Sequence, residues 1–121
     1  DLGFGACELV IAALEKIDLK KLSPYQRVAT KYLNSTKSYF KDQGLLVHPI
    51  KLAGAIELAP ITGIADFICD LTATGTTLRE NGLCIIDTVF KSTARMVANP
   101  ISMRTFYTKI SELVQQLKSE L

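Results

Sequence analysis

Residues Ala65 to Leu83 read ADFICDLTATGTTLRENGL. Phe67 and Ile68 belong to an apolar strand that delivers Asp70 to its carboxyl end. Five residues on comes Gly75, flanked by Thr74, Thr76 and Thr77, and then a short helix over Thr77 to Asn81 that Gly82 closes. Strand, glycine turn and helix in this order form the repeating unit of α/β folds, whose ligands sit at the carboxyl ends of strands. Gly75 allows a tight turn, so that backbone N–H groups and three hydroxyls face inward, and the start of the helix adds partial positive charge. The pattern reads as a phosphate cradle. Asp70 then stands where a sugar diol or a hydrated magnesium ion would lie beside the phosphate. An ordinary threonine-capped helix shares part of this pattern. The stretch lacks the Gly-Lys-Ser/Thr of a nucleotide-binding P-loop and the repeated glycines of a dinucleotide fingerprint.

Outward from this stretch, strands alternate with short helices. Glu8 to Leu14 (ELVIAAL) is the pattern of a strand buried on both faces of a parallel sheet, Asp18 to Pro24 reads as a connection, and Arg27 to Thr30 begins a second strand. A helix follows, capped by Asn34, Ser35 or Thr36 and closed near Gly44, with Tyr39 and Phe40 on its apolar face. Tyr32 and Phe106 also read as core. Leu45 to Leu52 is a strand in which Pro49 indicates an edge or a bend, and Ala53 to Ala59 forms one or two helical turns before Pro60. Leu83 to Phe90 and Thr93 to Ala98 complete the strands. At the end Asn99 caps a helix, Pro100 occupies its first turn, and Ile101, Phe106, Ile110, Leu113, Leu117 and Leu121 form an apolar stripe expected to dock on a sheet. The expected fold is α/β with a mainly parallel sheet.

The 121 residues are 48% hydrophobic and 21% charged, with a net charge of +2. Neither the composition of a disordered chain nor the basic bias of a nucleic-acid binder is present. The apolar runs are interrupted, for instance by Glu57, well before a bilayer could be spanned. Cys7, Cys69 and Cys84 form no C-x-x-C pair, which favours reduced thiols and a cytoplasmic protein, and Cys7 and Cys69, in or beside apolar runs, read as small buried hydrophobes. His48, the only histidine, reads as an edge or surface residue, so histidine-based metal or acid-base chemistry is not expected.

The strand ending in an acidic residue and followed by Thr-Gly-x-Thr resembles the 5-phosphoribosyl diphosphate (PRPP) loop of phosphoribosyltransferases, with Cys69 where the common form has a first acidic residue. Five words in order point further: Asp1 to Cys7, Arg27-Val-Ala-Thr-Lys-Tyr32, Lys51 to Pro60 (KLAGAIELAP), Gly63-Ile-Ala-Asp66, and Asp70 to Leu83. Along nearly all its length the chain resembles the catalytic subunit of ATP phosphoribosyltransferase, the opening enzyme of histidine biosynthesis. Leu14 stands where many members have proline.

The resemblance implies transfer of the 5-phosphoribosyl group of PRPP to N1 of ATP with release of diphosphate. It implies that Ala73, Thr74, Gly75, Thr76 and Thr77 hold the 5-phosphate, that Asp70 takes the ribose hydroxyls, and that Glu57 is a second catalytic carboxylate. Magnesium would lie near Glu57 and Asp70, through substrate or water. Arg27, Thr30 and Lys51 are candidate polyphosphate contacts, whereas Arg79 and Glu80 read as a surface or subunit contact. The implied fold is a type II periplasmic-binding-protein-like lobe over residues 10–92, entered through residues 1–9 and followed by a returning strand and C-terminal helix of another lobe over residues 93–121. The amino-terminal part of that other lobe and a regulatory domain are expected to be absent, with some apolar surface left exposed. The short form so resembled works as a homo-oligomer with a regulatory subunit related to histidyl-tRNA synthetase, and no nucleic acid or membrane is expected as a partner. A non-catalytic phosphosugar or anion module, and a phosphoribosyltransferase of the commoner fold, remain alternatives.

Overall fold

The computed structural model describes residues 1–121. Cys7–Lys91 make up one unit; Asp1–Ala6 and Ser92–Leu121 make up another. The first contains a five-stranded sheet with β1 (Cys7–Ala13), β2 (Gln26–Thr30), β3 (Val47–Lys51), β4 (Phe67–Thr72) and β5 (Cys84–Ser92) in the order β3-β2-β4-β1-β5. β2 runs parallel to β3 and β4, but β1 is antiparallel to β4, with Val10 opposite Asp70. The sheet is therefore mixed. The uninterrupted apolar run of β1 reflects its interior place in the sheet and says nothing about the direction of its neighbours. β3 forms an edge, so the missing N–H of Pro49 breaks no pairing on its open side, and His48 is exposed there.

Alternation along the strands divides the core in two. Val10, Ala12, Ala29 and Ile68 pack on one face with Ile56, Ala59, Leu78 and Leu83. Leu9, Ile11, Val28, Phe67 and Cys69 pack on the other with Tyr39 and Phe40 of helix α1 (Leu33–Asp42). Tyr39 and Phe40 meet edge to face at 5.1 Å, and the Tyr39 hydroxyl donates to Asp87 of β5. Burial first, then that carboxylate, pushes the phenol pKa far up. Of the aromatic residues expected in the core, Tyr32 and Phe106 are instead exposed. Tyr32 precedes the first turn of α1, outside its buried stripe, and Phe106 lies at a helix break.

Helix α1 starts earlier than its sequence suggests. None of Asn34, Ser35 and Thr36 is its cap. The Thr30 hydroxyl accepts from the Tyr32 N–H at 2.9 Å, and the buried Thr36 hydroxyl, 3.1 Å from that of Thr30, donates to the Tyr32 carbonyl at 2.8 Å. Thr36 thus lies inside the first turn, and the end of β2 supplies the capping oxygen. Gly44 follows the helix with φ +70°.

In the other unit, Asp1 accepts from Gly3 N–H at 2.9 Å and from Thr93 Oγ1 at 2.8 Å and pairs with Arg95 at 3.4 Å. Residues 93–98 are not a strand. Only Ala94 exchanges backbone hydrogen bonds with the amino-terminal segment, donating to Phe4 and accepting from Leu2, and one residue does not make a ladder. Asn99 caps α3 (Pro100–Thr105), its Oδ1 accepting from Ile101 N–H at 2.8 Å. The terminal helix is not continuous: Phe106 (φ −120°, ψ 31°) separates α3 from α4 (Tyr107–Glu120). The apolar spacing carries the reason, since Ile101 to Phe106 is a step of five residues whereas the later steps are three or four. Neither helix buries a residue fully.

Candidate functional site

Asp70 follows Ile68 by two residues, so its side chain leaves β4 on the face that carries Ile56 and Leu78. Ile56 opens a 3-10 turn, Ile56–Leu58, entered through Ala55 at φ 51°, and Leu78 anchors helix α2 (Thr76–Glu80). That shared face brings Glu57 and Asp70 to one cleft with the loop. The cleft, of about 260 Å³, is lined by Glu57, Asp70, Thr72, Thr74, Thr76 and Thr77 among others. The pKa of Asp70 is raised, by burial above all and then by the charge of Glu57, while the Leu71 N–H and the Lys31 ammonium act in the opposite sense.

The loop satisfies itself with its own hydroxyls. Thr72 Oγ1 accepts from Gly75 N–H at 2.8 Å, Thr74 Oγ1 accepts weakly from Thr76 N–H at 3.4 Å, and the Thr74 and Thr76 hydroxyls lie 2.8 Å apart. Hydroxyls can rotate from accepting to donating, so the same groups can turn toward an anion that takes over the N–H bonds. Gly75 is buried at φ +74°. A Cβ there would stand 2.9 Å from Arg79 Nη1 and 3.3 Å from Ile85 Cδ1, side-chain ends that would have to give way, so it is the backbone conformation that requires glycine.

The three basic and hydroxyl contacts expected for polyphosphate are not brought to this cleft. Arg27 is at the wrong end of the sheet: its backbone N–H donates to Asp66 Oδ2 at 2.9 Å, and its guanidinium donates to the Gly63 carbonyl at 2.9 Å and pairs with Asp66 at 3.4 Å. Asp66 precedes β4, about 13 Å of strand before Asp70. Thr30 and Lys51 are at the correct end but on the other face. Val28 packs with Phe40, so Thr30, two residues on, points toward α1, where it is wholly buried, and Lys51 shares its register and face. Lys31, one residue later, is the cation that acts on Asp70, and the alternation of β2 could have identified it. Arg79, expected at a surface contact, folds onto the loop, its Nη2 donating to the Thr74 carbonyl at 3.1 Å.

Cys69 occupies the face of α1. It is wholly buried, and burial raises its thiol pKa, against the hydroxyls of Thr36 and Thr30. An acidic residue in this place would sit in the apolar core, so a single carboxylate, Asp70, is what this β4 can present to the cleft.

Residues 1–119 match the protein family described as ATP phosphoribosyltransferase. A relative from Clostridium novyi, named ATP phosphoribosyltransferase, is 40% identical over 97% of this chain and 55% of its own length. One of the same name from Synechococcus sp. is 42% identical over 99% of this chain and 58% of its own. The chain therefore spans little more than half the length of the curated relatives it matches. Among solved structures, one described as the ATP phosphoribosyl transferase (HisG:HisZ) complex from Thermotoga maritima superposes with a TM-score of 0.85 at 34% identity, covering 96% of this chain and 58% of that one. A periplasmic binding protein from Brucella ovis reaches 0.60 at 10% identity, covering 76% of this chain and 34% of that one, a likeness of fold alone that fits the type II lobe expected from the sequence.

Proposed function

Because this chain belongs to the ATP phosphoribosyltransferase family, we propose that its cleft binds PRPP for transfer of the phosphoribosyl group to ATP in histidine biosynthesis. The observation that carries this is the convergence of Glu57, Asp70 and the 72–77 loop on one face of the sheet. In the reaction, N1 of the adenine attacks the anomeric carbon while the bond from that carbon to the diphosphate oxygen breaks, and the electron pair leaves with diphosphate. Such a step needs positioning and charge stabilisation and no protein nucleophile. Ala73 to Thr77 hold the 5-phosphate through N–H groups and hydroxyls. Asp70 accepts the ribose hydroxyls, which orients the anomeric carbon and favours the charged carboxylate. Glu57 stands on the diphosphate side.

Magnesium fits this arrangement as an ion carried by the diphosphate. The residues offer two carboxylates in one cleft, one with its pKa raised partly by the other, and no cluster of three acidic, histidine or cysteine ligands that would hold a cation alone. Glu57 and Asp70 would hold it through water or substrate, and its chemistry there is to neutralise charge on the leaving diphosphate.

The Thermotoga relative was solved as a two-component complex, which supports a homo-oligomer of this chain working with a regulatory subunit related to histidyl-tRNA synthetase. No helix is long and apolar enough to cross a membrane, and a cytoplasmic place accords with the biosynthetic role. Calorimetric titration of PRPP with magnesium tests the proposal: the wild-type chain binds, and Asp70→Asn binds roughly 10- to 100-fold more weakly, the size of a lost hydrogen bond to a charged group. Absence of saturable binding by the wild type rejects it. Adding ATP and following product absorbance then distinguishes an enzyme from a binding module.

A further inference from the structure

Arg79 belongs to the short helix after the loop, yet its side chain turns back across it. Nη2 donates to the Thr74 carbonyl at 3.1 Å and reaches Thr76 Oγ1 at 3.4 Å. Nη1 and Cζ lie 2.9 and 3.7 Å from the position of a Cβ on Gly75, so the guanidinium rests on the glycine Cα, with Ile85 Cδ1 filling the rest of that space. Its own backbone N–H donates to the Gly75 carbonyl at 3.0 Å. Three consecutive loop residues are thus gripped by one residue. The charge is unneutralised by protein: the ion pairs of the chain join Arg27 to Asp66, Lys91 to Glu8 and Arg95 to Asp1, and none involves Arg79.

We propose that Arg79 is a positioning residue of the anion-receiving loop, its planar fork fixing residues 74–76 in the shape that receives the 5-phosphate. The inference rests on the PRPP reading of the site. A guanidinium presents several donors in one rigid plane and can lie flat on a glycine while bonding on both sides of it. Lysine keeps the charge but has neither the plane nor the fork. Arg79 is exposed, and the carbonyl it leaves behind can be met by water, so its removal should loosen the loop with little effect on global folding. Held loops bind more tightly because less ordering remains to be done on association.

The test compares wild type, Arg79→Lys and Arg79→Met in PRPP binding with magnesium, thermal unfolding, and backbone amide NMR of the free protein. Both variants should bind about tenfold more weakly, with an unchanged unfolding midpoint and with shifted or broadened Thr74, Gly75 and Thr76 amides before any ligand is added. Wild-type affinity in Arg79→Lys overturns the proposal, because charge alone would then suffice. If the wild type itself fails to bind PRPP, the reading of the site fails, and the inference is judged on the free-protein amides. Unchanged Thr74 to Thr76 signals in Arg79→Lys overturn it there. Should a variant not fold, the wild-type guanidinium decides: separately resolved Nη protons support a held fork, and one averaged signal overturns it.

Discussion

Asp70 carries a stability cost at neutral pH, since burial raises its pKa. Its pKa is raised from 3.8, so the folded chain holds a proton that the unfolded chain has released across the interval between that value and the raised one. The contribution of the protonated group to stability is full below 3.8 and is lost as pH rises through the folded pKa. A ligand that donates hydrogen bonds to the carboxylate prefers the charged form, so PRPP affinity should rise with pH over the same interval. We predict these opposite slopes in thermal unfolding and in calorimetric titration. Asp70→Asn should flatten both, unfolding at higher temperature than wild type at pH 7 while binding worse; a lower midpoint would contradict the account. Gly75→Ala forces a side chain into the left-handed region against Arg79 and Ile85. It should cost about 1–2 kcal/mol in denaturant unfolding and weaken PRPP binding beyond detection. At this scale the sequence was informative where chemistry is local: Asp70 and the loop threonines are recognisable as types at a spacing, Glu57 came from the family resemblance, and the structure brings them together. It was misleading for Thr30 and Lys51, because being at a strand end does not tell which face a side chain takes.

Among the elements, α1 shows how a strand and a helix share one oxygen. Thr30 closes β2 and caps α1, and its partner Thr36 is also wholly buried. Thr30→Val keeps the shape, removes the acceptor from the Tyr32 N–H and should destabilise the chain by about 1–3 kcal/mol. Loss of hydrogen-exchange protection should concentrate in the first turn of α1, and uniform loss along the helix would argue against the capping role. Sequence reasoning missed this because a cap from a preceding strand depends on how the chain enters the helix. The helix break at Phe106 was available in the five-residue apolar step. The absence of a strand at residues 93–98 was not, since β-forming residues need a partner whose presence no local pattern records.

For the whole chain, an unbroken apolar run disclosed a strand with two buried faces and left its direction open, so β1 was recognised as interior while its antiparallel pairing was not. Every residue lining the candidate cleft lies within Cys7–Lys91, a unit with cores on both faces of its sheet. A protein trimmed to residues 7–91 should therefore fold cooperatively and retain PRPP affinity within about threefold, roughly 0.6 kcal/mol. Amide dispersion and the same titration check this, and a molten fragment would show that the remaining residues are needed for the core.

The pairing of Glu8 with Lys91 at 3.2 Å places the beginning and the end of this unit side by side. A segment with adjacent ends can be treated as a cassette. A short Gly-Ser bridge from Lys91 to Cys7 would allow new termini to be opened elsewhere in a circular permutant, and the same two neighbouring splice points would let a foreign host protein carry the threonine-rich turn as a grafted insert.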